Sequence, residues 1–181
     1  MTEIIRNPRI LKRETAALLI VDIQERILGV MRQNKRVVAN TIMLIQGAKI
    51  LGVPIYCTEQ YPKGLGETAK AIKMELNKTA AIQKLSFSCF GAENLFKEFK
   101  DKKLNQIIVV GIETHVCVQQ TVLDLLANNF QVNLPADAVS SRKKIDYKTA
   151  LKRMRINGAE ITTSESILFE LLNVCGTQEF K

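Results

Sequence analysis

Three residues in separate stretches carry the reactive chemistry of this sequence: Asp22 in LLIVDIQ, Lys84 in KLSFSCF and Cys117 in VVGIETHVCVQQT. A thiol attacks a carbonyl as thiolate. With a free pKa near ~8.5, little thiolate exists at neutral pH, so the group needs a base or a positive field. Cys117 falls where an apolar strand gives way to an amphipathic helix. The unpaired N–H groups and dipole of a helix's first turn favour negative charge there. Asp22 is expected to accept the thiol proton, and Lys84 to stabilise the charges of the pair. The sole histidine, His115, stands two positions before Cys117, poorly placed to face the same site. A carboxylate is therefore the stronger base, and a zinc site with several histidine ligands is excluded.

Short apolar runs alternate with helical patterns and would bring these residues together. Strands are expected at Ala16–Val21, Val53–Cys57 (entered through Pro54), Ala80–Gln83, Gln106–Gly111, Phe130–Leu134 and Ala159–Thr162. Helices are expected over Lys35–Leu51, ending at Gly52, and over Glu93–Lys100, Val116–Ala127, Asp146–Ile156 and Ser164–Leu172. Thr58 to Gly66 reads as a loop followed by a short helix. This alternation predicts a single-domain α/β fold, a doubly wound, mostly parallel sheet with helices on both faces. One domain is expected over 1–181, with its core at about 16–172. The run NQIIVVG is nearly all apolar, as a strand covered on both faces should be. Ligands in such sheets bind beyond the carboxyl ends of the strands. Asp22, the loop from Thr58, Lys84 and the Gly111–Cys117 junction all reach that rim.

The 181 residues are 46% hydrophobic and 24% charged, ordinary for a globular protein with a sizeable core. No apolar run approaches the roughly 20 residues that span a bilayer. The N-terminus lacks the order of a signal peptide, so a cytoplasmic protein without membrane partners is expected. Four scattered cysteines with no CxxC pair read as free thiols. The net charge of +8 raises the question of nucleic acid. Its densest basic stretch, Arg142 to Arg155, reads as a helix with Ala150, Leu151 and Met154 inward and Lys148, Lys152 and Arg155 outward. Without interleaved aromatics that is a solvated face, and nucleic acid is disfavoured as a partner.

Taken together, LLIVDIQ, KLSFSCF and VVGIETHVCVQQT resemble the isochorismatase-like cysteine hydrolase family, in its order and approximate spacing, from about Ala16 to Leu172. TEQYPKGLGET is similar to the branch called isochorismatase domain-containing proteins. The resemblance implies a Rossmann-like three-layer fold, with Asp22 as acid/base, Lys84 as cation and Cys117 as nucleophile. It also implies a cis peptide at Ile112–Glu113 and an oxyanion hole from the Glu113 and Cys117 amides. Members that keep Asp, Lys and Cys typically hydrolyse small amides, ureides or carbamoyl compounds, and homodimers or larger assemblies are expected. Nicotinamidases of the family carry an Asp/His metal cluster after the second strand. CTEQYP here has Glu59 and no histidine, so no metal and no cofactor is expected.

Around this triad, Gln24 would either bond substrate or hold the loop. Tyr61, Phe87 and Phe90 are candidate pocket walls. Glu59, His115 and Asp137 read as structural, or in the case of Glu59 as a substrate contact. Two other classes of function remain open: an interaction protein with weak turnover, and an RNA-associated protein using the Arg142–Arg155 face.

Overall fold

The computed structural model describes residues 5–77, 79–92 and 94–180. Among these, seven strands form one parallel sheet: β1 (Ala16–Val21), β2 (Ile55–Gln60), β3 (Ile82–Lys84), β4 (Gln106–Ile112), β5 (Gln131–Pro135), β6 (Val139–Ser140) and β7 (Glu160–Thr162). Their order is β3-β2-β1-β4-β5-β7, with β6 paired to the end of β4. Helices α1 (Glu25–Leu28), α2 (Asn34–Ile50), α3 (Pro62–Leu65), α4 (Lys70–Leu76), α5 (Leu95–Asp101), α6 (Gln119–Ala127), α7 (Lys144–Ile156) and α8 (Ser164–Leu172) connect them. The expected doubly wound α/β fold is the one observed.

The period of two along each strand builds two cores. Every residue of β1 and β4 is buried. Ala17, Leu19, Val21, Ile107 and Val109 face one side, where they meet Phe99 of α5, Val122 and Leu125 of α6 and Met154 of α7. Leu18, Ile20, Ile108 and Val110 face the other, against Leu44 and Ile45 of α2, Ile72 of α4 and Ile167 and Leu171 of α8. Each such large aliphatic side chain contributes about 1.5–3 kcal/mol by leaving water. Helices on both faces explain why these strands are apolar without alternation.

From β1 the chain winds outward to β2 and β3, then returns to the other flank of β1 for β4, β5 and β7. The strand order thus reverses between β1 and β4, and sheets of this kind bind ligands beyond the carboxyl ends at such a point. Gly111 makes the close approach there possible. A Cβ on it would lie 2.1 Å from the Val21 carbonyl oxygen, and its φ is +135°.

Several element boundaries differ from those expected. Strand β2 runs on through Thr58, Glu59 and Gln60, residues expected in the Pro/Gly-containing loop Thr58 to Gly66. Thr58 pairs with Val21 on one side and Ile82 on the other, so the ladder continues past the apolar run. Lys84 ends β3 rather than following it, paired with Gln60. Glu93, the expected start of the fifth helix, lies outside the described residues. The two-residue β6 and the four-residue α1 and α3 are too short to show a period.

Candidate active site

The carboxyl ends of the central strands gather the three reactive residues. Asp22 sits one residue beyond β1 at φ 53°, and Lys84 ends β3. Cys117 lies in a π-helical turn, Thr114–Val118, that runs directly into α6. Lys84 Nζ is 2.6 Å from Asp22 Oδ2, and their side chains are 0% and 3% exposed. Removing both charges from water is costly, so every polar atom needs a partner. Asp22 Oδ1 accepts from Thr58 Oγ1 at 2.8 Å. The ammonium donates its other two hydrogen bonds to the carbonyls of Phe87 (2.9 Å) and Ser86 (3.1 Å). All three Lys84 donors are thereby satisfied, and the 85–88 loop is fastened to the acid.

Cys117 is 7% exposed. Burial pushes its thiol well up, the neighbouring Asp22 carboxylate pushes the same way, and Lys84 opposes them. At rest the group is therefore a thiol, even though it sits in the first turn of a helix. Desolvation and a facing anion outweigh the dipole at this position. Two further thiols lie close by without that arrangement. Cys89 is pushed to about 11, mainly by burial, and its sulfur is 3.6 Å from Thr58 Oγ1. Cys57 is pushed to about 12, again mainly by burial. All four cysteines are free, Cys175 being the exposed one.

Gln24 is fully buried, and its amide clamps backbone. Nε2 donates to the carbonyls of Gly66 (2.6 Å) and Gln60 (3.0 Å), while Oε1 accepts from Gln60 N–H at 2.9 Å. Of its two expected roles the geometry favours holding the loop. Glu59 Oε1 accepts from Thr68 N–H and Oγ1 at 2.7 and 2.9 Å, a structural placement. No cluster of metal-ligating side chains occurs among the described residues. Tyr61, Phe87 and Phe90 are 48%, 52% and 60% exposed, with Phe90 edge-on to Phe96 at 5.6 Å. His115 turns away from the thiol, its Nδ1 2.9 Å from Ser141 Oγ and its Nε2 3.8 Å from Asp146. Asp137 Oδ1 accepts from Ser164 N–H and Oγ, at the start of α8.

The Ile112–Glu113 peptide is cis. The Glu113 carbonyl accepts from the amides of Val116 and Val118, and its carboxylate is 2.9 Å from Arg142 Nε. The sequence reading missed Thr58 as the residue that orients Asp22. It also missed Thr121 Oγ1, which accepts from the Cys89 amide at 2.9 Å and so fixes the loop after Lys84. A β-branched residue opposite the last residue of β1 was the available signal for Thr58.

Fold and site together define an α/β protein of the three-layer, doubly wound class, with an acid, an ammonium and a thiol at its switch point. Comparison with known proteins narrows the class. The family described as "Isochorismatase domain" matches residues 16–166, and the chain belongs to this family of hydrolases. It is 42% identical over 173 residues to isochorismatase family protein 1B of Dictyostelium discoideum, covering 93% of this chain and 84% of that one. It is 39% identical to isochorismatase domain-containing protein 1 of Salmo salar, over 92% of this chain and 59% of the salmon protein. Among solved structures, the MAR1 ribonuclease from Caenorhabditis elegans superposes with a TM-score of 0.87 at 37% identity, covering 94% of this chain and 88% of that one.

Proposed function

We propose that this hydrolase cleaves the C–N bond of a small amide, ureide or carbamoyl compound, with Cys117 as nucleophile, Asp22 as general base and acid, and Lys84 as the cation that steadies them. The observation that carries this reading is the buried Lys84–Asp22 pair beside the buried Cys117 thiol, whose proton the Asp22 carboxylate helps to hold. Because burial keeps the thiol protonated, attack requires the proton to pass to Asp22 as the sulfur–carbon bond forms. Negative charge then moves from the carboxylate to the substrate oxygen. The amides of Glu113 and Cys117 are proposed to receive that oxyanion. Asp22 returns the proton to the leaving nitrogen, and the acyl group stays on Cys117 as a thioester. Water, deprotonated by the same carboxylate, releases the acid. No metal or cofactor enters these steps. Tyr61, Phe87 and Phe90, exposed beside this rim, are proposed to contact the organic part of the substrate. The working form is proposed to be a cytoplasmic homo-oligomer; among the described residues, no helix is long and apolar enough to cross a membrane.

The name of the nematode relative raises RNA as a second substrate class. The site geometry favours the first. Thiol, carboxylate and ammonium are all at least nine-tenths buried, and the histidine faces elsewhere. A panel of amides, ureides and carbamoyl compounds, with an RNA oligonucleotide alongside, tests this. Ammonia release by the wild type and its loss in Cys117→Ala is the expected result. RNA cleavage without ammonia release would overturn the proposal, and no turnover of any member would favour an interaction protein.

A further inference from the structure

A cavity of about 160 Å³ whose lining shares no residue with the triad is distinguished by its charge. Arg32 and Arg36 line it from the entry to α2, and Lys144 and Lys148 from the start of α7. Tyr147 and Ser141 complete the wall, and no Asp or Glu is part of it. Among the described residues, none of the four cations has a carboxylate within salt-bridge distance. Of the acids on the neighbouring segments, Asp146 has its carboxylate 3.8 Å from His115, and Asp137 accepts two hydrogen bonds from the first residue of α8. Four like charges around one concavity repel each other, and an anion in it would relieve that repulsion.

The backbone points the same way. Helices α2 and α7, of 17 and 13 residues, both begin at this cavity, at Gln33 and Lys143, and neither has a side-chain N-cap. Their first-turn N–H groups and the positive ends of their dipoles add to the four side-chain charges. Arginine's planar fork matches two oxygens of a tetrahedral oxyanion. A volume of about 160 Å³ exceeds more than tenfold the ~10–15 Å³ that holds one water, so a phosphate group fits and a folded polymer does not.

We propose that this cavity is a binding site for a compact, multiply charged phosphate-class anion, either a free phosphate or pyrophosphate or the phosphate of a small ester. It is distinct from the Asp22–Lys84–Cys117 site. The Arg142–Arg155 face as a whole is a surface of scattered cations. The cavity is where two of those cations converge with Arg36 of α2 and Arg32 just before it. Ser141 connects the two regions, because it lines the cavity while its Oγ meets His115 at 2.9 Å. That contact gives a built-in reporter. His115 is the only histidine, so its ring Hε1 proton gives a single, unambiguous NMR signal beside the cavity.

The test is titration of the full chain with inorganic phosphate, pyrophosphate and phenyl phosphate in low-salt buffer, followed by calorimetry and by the His115 signal. Saturable binding of one anion per chain is expected, with a shift of the His115 signal that tracks occupancy. The double variant Arg36→Gln/Lys148→Gln should weaken binding about tenfold or more, a change of about 1.4 kcal/mol. Lys152→Gln/Arg155→Gln, further along α7, should bind as the wild type does. Tighter phenyl phosphate than phosphate supports an ester as ligand; the reverse order supports the free anion. The proposal is overturned if no anion saturates the site, or if both double variants weaken binding equally. It is also overturned if only RNA binds and pyrophosphate fails to compete, or if the cavity variant changes the oligomeric mass, which would make the cavity a contact between copies.

Discussion

Removing the ammonium from the buried Asp22–Lys84 pair should cost most of what a single substitution can. In Lys84→Met the stem volume is kept, so packing changes little and the loss is electrostatic. Asp22, 2% exposed, would retain only the Thr58 hydroxyl at 2.8 Å. Breaking a buried pair by removing one partner costs about 3–5 kcal/mol, against a total stability of about 5–15 kcal/mol for a domain. The carbonyls of Ser86 and Phe87 also lose their shared donor, which puts the expectation at the upper end. Asp22→Asn alone sets an amide donor against the buried ammonium and should cost a comparable amount. The double variant Asp22→Asn/Lys84→Met has no buried charge at this point. It should be destabilised by at least about 2 kcal/mol less than the sum of the singles. Urea unfolding followed by circular dichroism at 222 nm measures all four proteins. Additivity within about 0.5 kcal/mol would show that the pair is not coupled and that the burial argument is wrong.

Two other expectations follow from the same geometry. Gly111→Ala would force a Cβ to within 2.1 Å of the Val21 carbonyl at a φ of +135°. The strands β1 and β4 would have to part, at a cost of about 3–5 kcal/mol and a fall in Tm of roughly 10 °C; an unchanged Tm would refute the close approach. The buried thiols predict a loss of stability at alkaline pH. Cys89, held up at about 11, keeps its proton in the folded chain while the unfolded chain loses it near about pH 9. The folded state then binds more protons, so stability is fully present below that pH and falls as pH rises toward the folded value. The slope is about 1.4 kcal/mol per pH unit for each such thiol. Cys89→Ala should therefore flatten the decline between about pH 9.5 and 11 by that amount, and a parallel decline would contradict it.

How much of this was legible in the sequence depended on whether a residue's role is local. β1 and α8 appear within their expected bounds, because an apolar run and a Thr–Ser start to an amphipathic stretch are local signals. The alternation of strands and helices also gave the sheet class. What it could not give was how far β2 extends. The ladder there is held by pairing to β1 and β3, a contact between distant segments, while Thr58, Glu59 and Gln60 look like loop. Asp22, Lys84 and Cys117 could be picked out by type and by resemblance. Their satisfied hydrogen bonds could not, because Thr58, Ser86 and Phe87 act through tertiary placement. The expectation that a helix start would favour the thiolate is outweighed in the structure by burial and by Asp22. The cavity cations come from the entry to α2 and from α7, far apart in the chain, so only the α7 half of the charge stood out in the sequence.

The most direct test of the account is the covalent intermediate itself. Wild-type protein mixed briefly with an amide that it hydrolyses, then quenched in acid, should gain the mass of the acyl group on the tryptic peptide that contains Cys117. Asp22→Asn and Cys117→Ala should show no such gain. An acyl group found on Cys89 or Cys175, or undiminished ammonia release by Cys117→Ala, would contradict the assignment of Cys117 as the nucleophile.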